Sequence, residues 1–136
     1  MKILVTDKTA DEALQVFKKA GHEITYDEMD AETLLKEISK YDALMVRSRT
    51  KVTAEVINTG AKGNLKVIGR AGIGVDNIDI ETAAKCKIPV VNAPTGATAS
   101  VAELAIAHML ALSRKINIAD STMKKGEWAK KQLKGT

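Results

Sequence analysis

Short apolar runs rich in Val and Ile recur along the chain, at residues 3–5, 24–26, 43–46, 67–68 and 88–91. Each has the length and composition of a buried strand. Helical patterns fill the intervals. Thr9-Ala10-Asp11-Glu12 reads as a capping box. Behind it Ala13, Leu14, Phe17 and Ala20 share one face, and Gly21 ends the helix. Asp30 is expected to cap a second helix, with Leu34, Leu35 and Ile38 inward. Thr53 is expected to cap a third, carrying Val56 and Ile57 and closing near Gly60. Asp79 is expected to cap a fourth, ending around Lys85. Strand alternating with helix predicts an α/β fold, a five-stranded parallel sheet covered on both faces. Five such units suggest the flavodoxin-like order 2-1-3-4-5.

The last helical pattern differs from the rest. Ser100-Val101-Ala102-Glu103 reads as another capping box, and only Glu103 and His108 interrupt the apolar stretch 101–112. A helix on one sheet face needs a single apolar stripe. This long apolar C-terminal helix is therefore expected to be buried on two sides, against another domain or another copy of the chain. A central core helix is the alternative. The stretch is too short to span a bilayer, which takes roughly 20 residues. His108 reads as a packed, satisfied histidine rather than a catalyst.

Composition narrows the picture. The hydrophobic fraction is 45 % but aromatics are only 3 %, so aliphatic side chains must build the core. The start of the chain has no signal-peptide pattern. The single cysteine, Cys86, excludes an intrachain disulfide and points to a reducing, cytoplasmic setting. Lying in a helical pattern between Lys85 and Lys87, it is a weak candidate nucleophile. From Arg114 onward there are seven basic and two acidic residues, against fourteen and fifteen before it. The basic tail reads as a solvated helical face and not a nucleic-acid site, since only Trp128 could stack on a base there. His22 and His108 stand alone, so no metal site is expected.

In a parallel α/β sheet, ligands bind beyond the C-terminal strand ends. Those ends carry Thr6-Asp7, then Arg47-Ser48-Arg49-Thr50, then Gly69-Arg70-Ala71-Gly72-Ile73-Gly74, then Asn92-Ala93-Pro94. Arginines, hydroxyls and backbone N–H groups gather on one rim, a chemistry that suits a carboxylate or phosphate. Arg47 can fork onto such a group and Ser48 can add a hydrogen bond. Arg70 offers a further positive charge. The stretch 69–79 imitates a dinucleotide fingerprint, but Asn77 stands where the third glycine belongs, and it follows a fourth strand rather than a first. Arg47 at the end of strand 3 opposes a phosphoacceptor reading. The glycine-free, acidic stretch Asp7-Lys8-Thr9-Ala10-Asp11 opposes flavin binding.

Three motifs then carry a family resemblance. V-R-S-R-T-K-V-T at 46–53, G-R-A-G-I-G-V-D-N-I-D at 69–79, and V-N-A-P at 91–94 followed by S-V-A-E-L-A at 100–105 resemble the D-isomer-specific 2-hydroxyacid dehydrogenases. The likeness extends to M-K-K-G-E-W at 123–128. It implies a flavodoxin-like substrate-binding domain over 1–98, with an interdomain helix and the start of an NAD-binding domain over 99–136. It implies that Arg47 and Ser48 contact substrate, and that the backbone of Gly72, Ile73 and Gly74 lies against the substrate carboxylate. Ile73 and Val101 would face the nicotinamide of NAD. The implied substrate is a small phosphorylated hydroxy acid, and the implied partners of helix 101–112 are the NAD domain or a second copy. No catalytic residue is assigned within the chain: the family's true G-x-G-x-x-G and its catalytic Arg, Glu and His would follow Thr136. The chain alone is therefore expected to be inactive and to bind no NAD. Many relatives carry a polar residue, often Asn, where this chain has Ala97, whose side chain cannot hydrogen-bond a substrate oxygen. The alternative reading is a non-enzymatic scaffold, stand-alone or engineered, that self-associates through helix 101–112.

Overall fold

A computed structural model describes residues 1–135; Thr136, the expected end of the second domain, lies outside the described residues. The five strands are β1 (Lys2–Val5), β2 (Glu23–Tyr26), β3 (Ala43–Val46), β4 (Val67–Arg70) and β5 (Val90–Asn92). All neighbours pair in parallel, in the order β2-β1-β3-β4-β5, as the alternation of elements predicts. With them lie α1 (Asp11–Lys19), α2 (Ala31–Glu37), α3 (Ala54–Lys62) and α4 (Ile80–Lys85) in a compact unit, Met1–Gly96. A second unit begins at Ala97 and holds α5 (Thr98–Ser113) and α6 (Ile116–Lys124).

Register builds the core of the first unit. Leu4 pairs with Leu44, and Leu44 with Ile68, so these three form one row across the sheet. All three are fully buried and pack with Leu34, Ile38, Val56, Ile57 and Ala83 from α2, α3, α4 and the 3-10 turn Ile38–Lys40. The adjacent row, with Ile3 and Ala43, meets Leu14 and Phe17 of α1 on the opposite face. Each such aliphatic side chain contributes about 1.5–3 kcal/mol when removed from water, which compensates for the scarcity of aromatics.

Three of the expected caps form. Asp30 accepts the N–H of Thr33, Thr53 that of Val56, and Asp79 that of Thr82. Two do not. Thr9 turns its hydroxyl to the Asp7 carbonyl, so α1 starts from Ala10 without a side-chain cap. Ser100 lies inside α5, which already begins at Thr98. α3 also runs past Gly60 to Lys62. β5 starts later than its apolar run. Lys87 takes a positive φ of 57°, Ile88 donates its N–H back to Ala83 to close α4, and Pro89 has no N–H to give a ladder.

The long apolar helix foreseen near the end of the chain is not found in the expected form. Val101, Leu104, Ile106, Met109, Leu110 and Leu112 of α5 are exposed rather than buried on two sides. His108 is exposed as well, not packed. The second layer such a helix needs is not supplied by the described residues. No helix among them is long and apolar enough to cross a membrane.

One close approach makes the fold testable. A Cβ on Gly63, at the end of α3, would lie 2.3 Å from the Ser39 carbonyl oxygen and 2.6 Å from its Cβ. Backbone meets backbone there, so neither side can yield cheaply. Gly63→Ala is expected to destabilise the chain by about 1–3 kcal/mol. Urea unfolding should show a lower midpoint at an unchanged slope; an unchanged midpoint would show that the turn adjusts freely.

Candidate functional site

The site grows from the C-terminal ends of β1, β3 and β4. Beyond β1 the chain reaches Thr6 and Asp7, both buried. A buried carboxylate is an acceptor that must be surrounded by donors. The 47–50 loop after β3 supplies them. The backbone N–H groups of Arg47 and Thr50 donate to Asp7 Oδ2, the Thr50 hydroxyl lies 2.7 Å from Oδ1, and Arg49 Nε lies 3.2 Å from Oδ1. Burial pushes the Asp7 carboxyl up. The Thr50 hydroxyl, the two amides and the Arg49 charge together outweigh it and hold the group below its ordinary range.

The second loop, 71–77, follows β4. Asn77 is buried, and its Nδ2 donates to the carbonyls of Arg47 at 2.8 Å and Thr50 at 2.7 Å. Arg70, whose side chain is 12 % exposed, donates through Nε to the Arg47 carbonyl at 3.3 Å and through Nη1 to the Gly74 carbonyl. One guanidinium thus touches both loops. A Cβ on Gly72 would stand 3.1 Å from Arg70 Nη1, so the small residue lets the loop lie close over the guanidinium. Asn92 at the end of β5 donates to the Ile73 carbonyl and holds the other side of the loop.

This geometry sorts the residues expected from sequence. Arg47, Ser48, Ile73 and Gly74 are exposed on the rim and Gly72 is half-buried. The shared Arg70 brings the two loops together. The Arg47 side chain makes one bond among the described residues, from Nη1 to the Lys8 carbonyl at 3.1 Å. Arg70 itself is a correction. Two of its five N–H donors go to loop carbonyls and Asp76 lies nearby at 3.8 Å, so it braces the loops from within. Val101 lies on α5 in the second unit, and Ala97 precedes that helix without capping it. Sequence reasoning missed the roles of Asp7 and Asn77. An acid at the end of a buried strand, and an asparagine in place of a fingerprint glycine, were the available signals. No group of His, Cys, Asp and Glu that could hold a metal occurs among the described residues.

The family model for the D-isomer specific 2-hydroxyacid dehydrogenase, catalytic domain, matches residues 3–131. This chain belongs to that family. It is 52 % identical over 136 residues to a D-3-phosphoglycerate dehydrogenase of Archaeoglobus fulgidus, covering 99 % of this chain and 25 % of that protein. It is 45 % identical over 135 residues to a hydroxypyruvate reductase of Thermotoga maritima, covering 98 % of this chain and 44 % of that protein. The crystal structure of NAD+-bound 3-phosphoglycerate dehydrogenase of Entamoeba histolytica superposes with a TM-score of 0.70 at 38 % identity, over 85 % of this chain and 40 % of that one. The chain therefore spans about a quarter of the Archaeoglobus dehydrogenase and less than half of the other two.

In this member of the dehydrogenase family, the acid response of the rim follows from Asp7. A depressed folded-state pKa stabilises the fold above the unfolded value of about 3.9, and that contribution is lost as pH falls through the lower folded value. Asp30, held down by the Thr33 amide, and Asp42, held down by Lys66, act with the same sign. Asp7→Asn is expected to cost about 2 kcal/mol at neutral pH, the worth of hydrogen bonds to a charged group. It should also shrink the loss of thermal midpoint on acidification. A variant whose acid profile overlays the wild type would show that the Asp7 charge contributes nothing.

Proposed function

We propose that this chain positions a small phosphorylated 2-hydroxy acid, or its 2-keto counterpart, in a D-3-phosphoglycerate dehydrogenase-like enzyme. The observation that carries the reading is the single rim on which exposed Arg47 and Ser48 stand beside the 72–74 loop. The loop backbone offers N–H groups to the substrate carboxylate, and the Arg47 fork and Ser48 hydroxyl take further anionic oxygens. Ile73, 43 % exposed, is the rim residue we assign to the nicotinamide side. Holding a substrate in one orientation is worth much of a reaction barrier even without a general acid or base.

The residues present do not fit the pyrophosphate of NAD. The glycine-rich stretch that imitates its fingerprint carries Asn77 at the third position, and both Nδ2 hydrogens are occupied by loop carbonyls. In the proposed enzyme the cofactor's pyrophosphate is therefore held by groups other than those of the 69–77 stretch. The chain alone is expected to bind substrate and not to oxidise it. The exposed apolar residues of α5 favour a second reading, a non-enzymatic module that self-associates through that helix. In the first reading the same residues meet the NAD-binding part of the enzyme or a second copy.

Titration of the chain with 3-phosphoglycerate separates the readings. Arg47→Ala is expected to weaken binding by about 10- to 100-fold, the loss of one or two charge-assisted hydrogen bonds. Arg47→Lys should recover only part of it, because a point charge cannot fork. Wild-type chain that binds no 3-phosphoglycerate, while associating through α5, would leave the second reading alone.

A further inference from the structure

Resting on the reading of Arg47 and Ser48 as substrate contacts, we propose that Asp7 and Asn77 are positioning residues. Together they form a two-sided backbone clamp that fixes the 47–50 loop, so that Arg47 and Ser48 leave the rim in one geometry.

The hydrogen-bond inventory is complementary. The two N–H groups held by Asp7 belong to Arg47 and Thr50. The two carbonyls held by Asn77 belong to the same two residues. An ionised carboxylate can only accept and a carboxamide nitrogen can only donate, so each side chain suits one side of the loop and not the other. The two come from different strand ends, β1 and β4, and grip the loop after β3 between them. Arg70 adds a third bond to the Arg47 carbonyl. Arg47 thus has both its backbone N–H and its carbonyl held while its side chain is exposed.

The clamp also separates the two arginines of the loop. Arg49 turns back to Asp7 at 3.2 Å and to the Thr6 carbonyl, with its side chain half exposed. Arg47 is left to face outward. Asn77 carries a further sign of its role. Its Oδ1 is buried with no hydrogen-bond partner among the described residues, a cost that its two donor bonds must offset. A loop ordered before the ligand arrives spares binding the entropy of ordering it.

The experiment uses the 136-residue chain and two isosteric variants. Asn77→Asp replaces the donor nitrogen by an oxygen facing two carbonyls; Asp7→Asn removes the charge and one acceptor, so that a donor faces either the two N–H groups or the Thr50 hydroxyl and Arg49. Amide proton shifts and hydrogen exchange are read without ligand, and 3-phosphoglycerate affinity is read separately. The expected result is faster exchange at the Arg47 and Thr50 amides, an upfield move of the Arg47 amide proton in Asp7→Asn, and unchanged protection of the Leu44 and Ile68 amides. Affinity for 3-phosphoglycerate should fall about tenfold in Asn77→Asp, as for the loss of one positioned hydrogen bond. Variants with wild-type exchange at Arg47 and Thr50 would overturn the clamp. So would variants with altered exchange and wild-type affinity, or variants that lose protection across β3 and β4, which would make both residues props of the sheet. If Arg47→Ala leaves affinity unchanged, the substrate reading fails instead, and with it the positioning role, while the exchange arm still decides whether the loop is clamped.

Discussion

A carboxylate buried at the end of a strand is the constraint around which this rim is organised. Asp7 sits where β1 leaves the sheet, beside fully buried Thr6. Water is not available to satisfy it, so protein donors must. The nearest backbone is the loop that follows β3, because β1 and β3 are neighbours in the sheet. Its N–H groups turn inward to the carboxylate, and its carbonyls need donors from the other side. Arg70 at the end of β4 and Asn77 beyond it meet that need. The parallel order that places β1, β3 and β4 side by side therefore decides which residues can reach the loop.

The same accounting decides which charges are left for a ligand. A guanidinium already bonded within the protein has less to offer an anion. Arg70 donates to two carbonyls, Arg49 donates to one and pairs with Asp7, and the Arg47 side chain makes one bond. Charge alone would rank the three arginines together. The hydrogen bonds each has already made distinguish them. Gly72 belongs to the same economy of space, since a side chain there would press on the guanidinium that braces its loop.

Much of the fold was legible in the chain. Val- and Ile-rich runs alternating with capped helical patterns are local signals, and they led to the right strand order and to caps at Asp30, Thr53 and Asp79. Two capping boxes misled, since Thr9 found a nearer acceptor in the Asp7 carbonyl and Ser100 fell inside a helix already begun. The motifs around Arg47 and Gly72 pointed to the rim and to the family, which the match over residues 3–131 shows. The apolar stretch 101–112 pointed to burial that the described residues do not supply, because a hydrophobic pattern states a demand and not what meets it.

The sequence by itself determined the period of the elements, the parallel α/β architecture, the family and the set of residues at the strand ends. These depend on neighbours a few positions apart, whose pattern is written directly in the chain. Only the tertiary structure decided that Asp7 and Asn77 grip one loop from opposite sides and that Arg70 braces it. Arg47 and Asp7 are 40 residues apart, and Asn77 is 30 residues from Arg47. Hydrogen bonds over such separations leave no periodic trace, and they exist only once the sheet has brought three strand ends together.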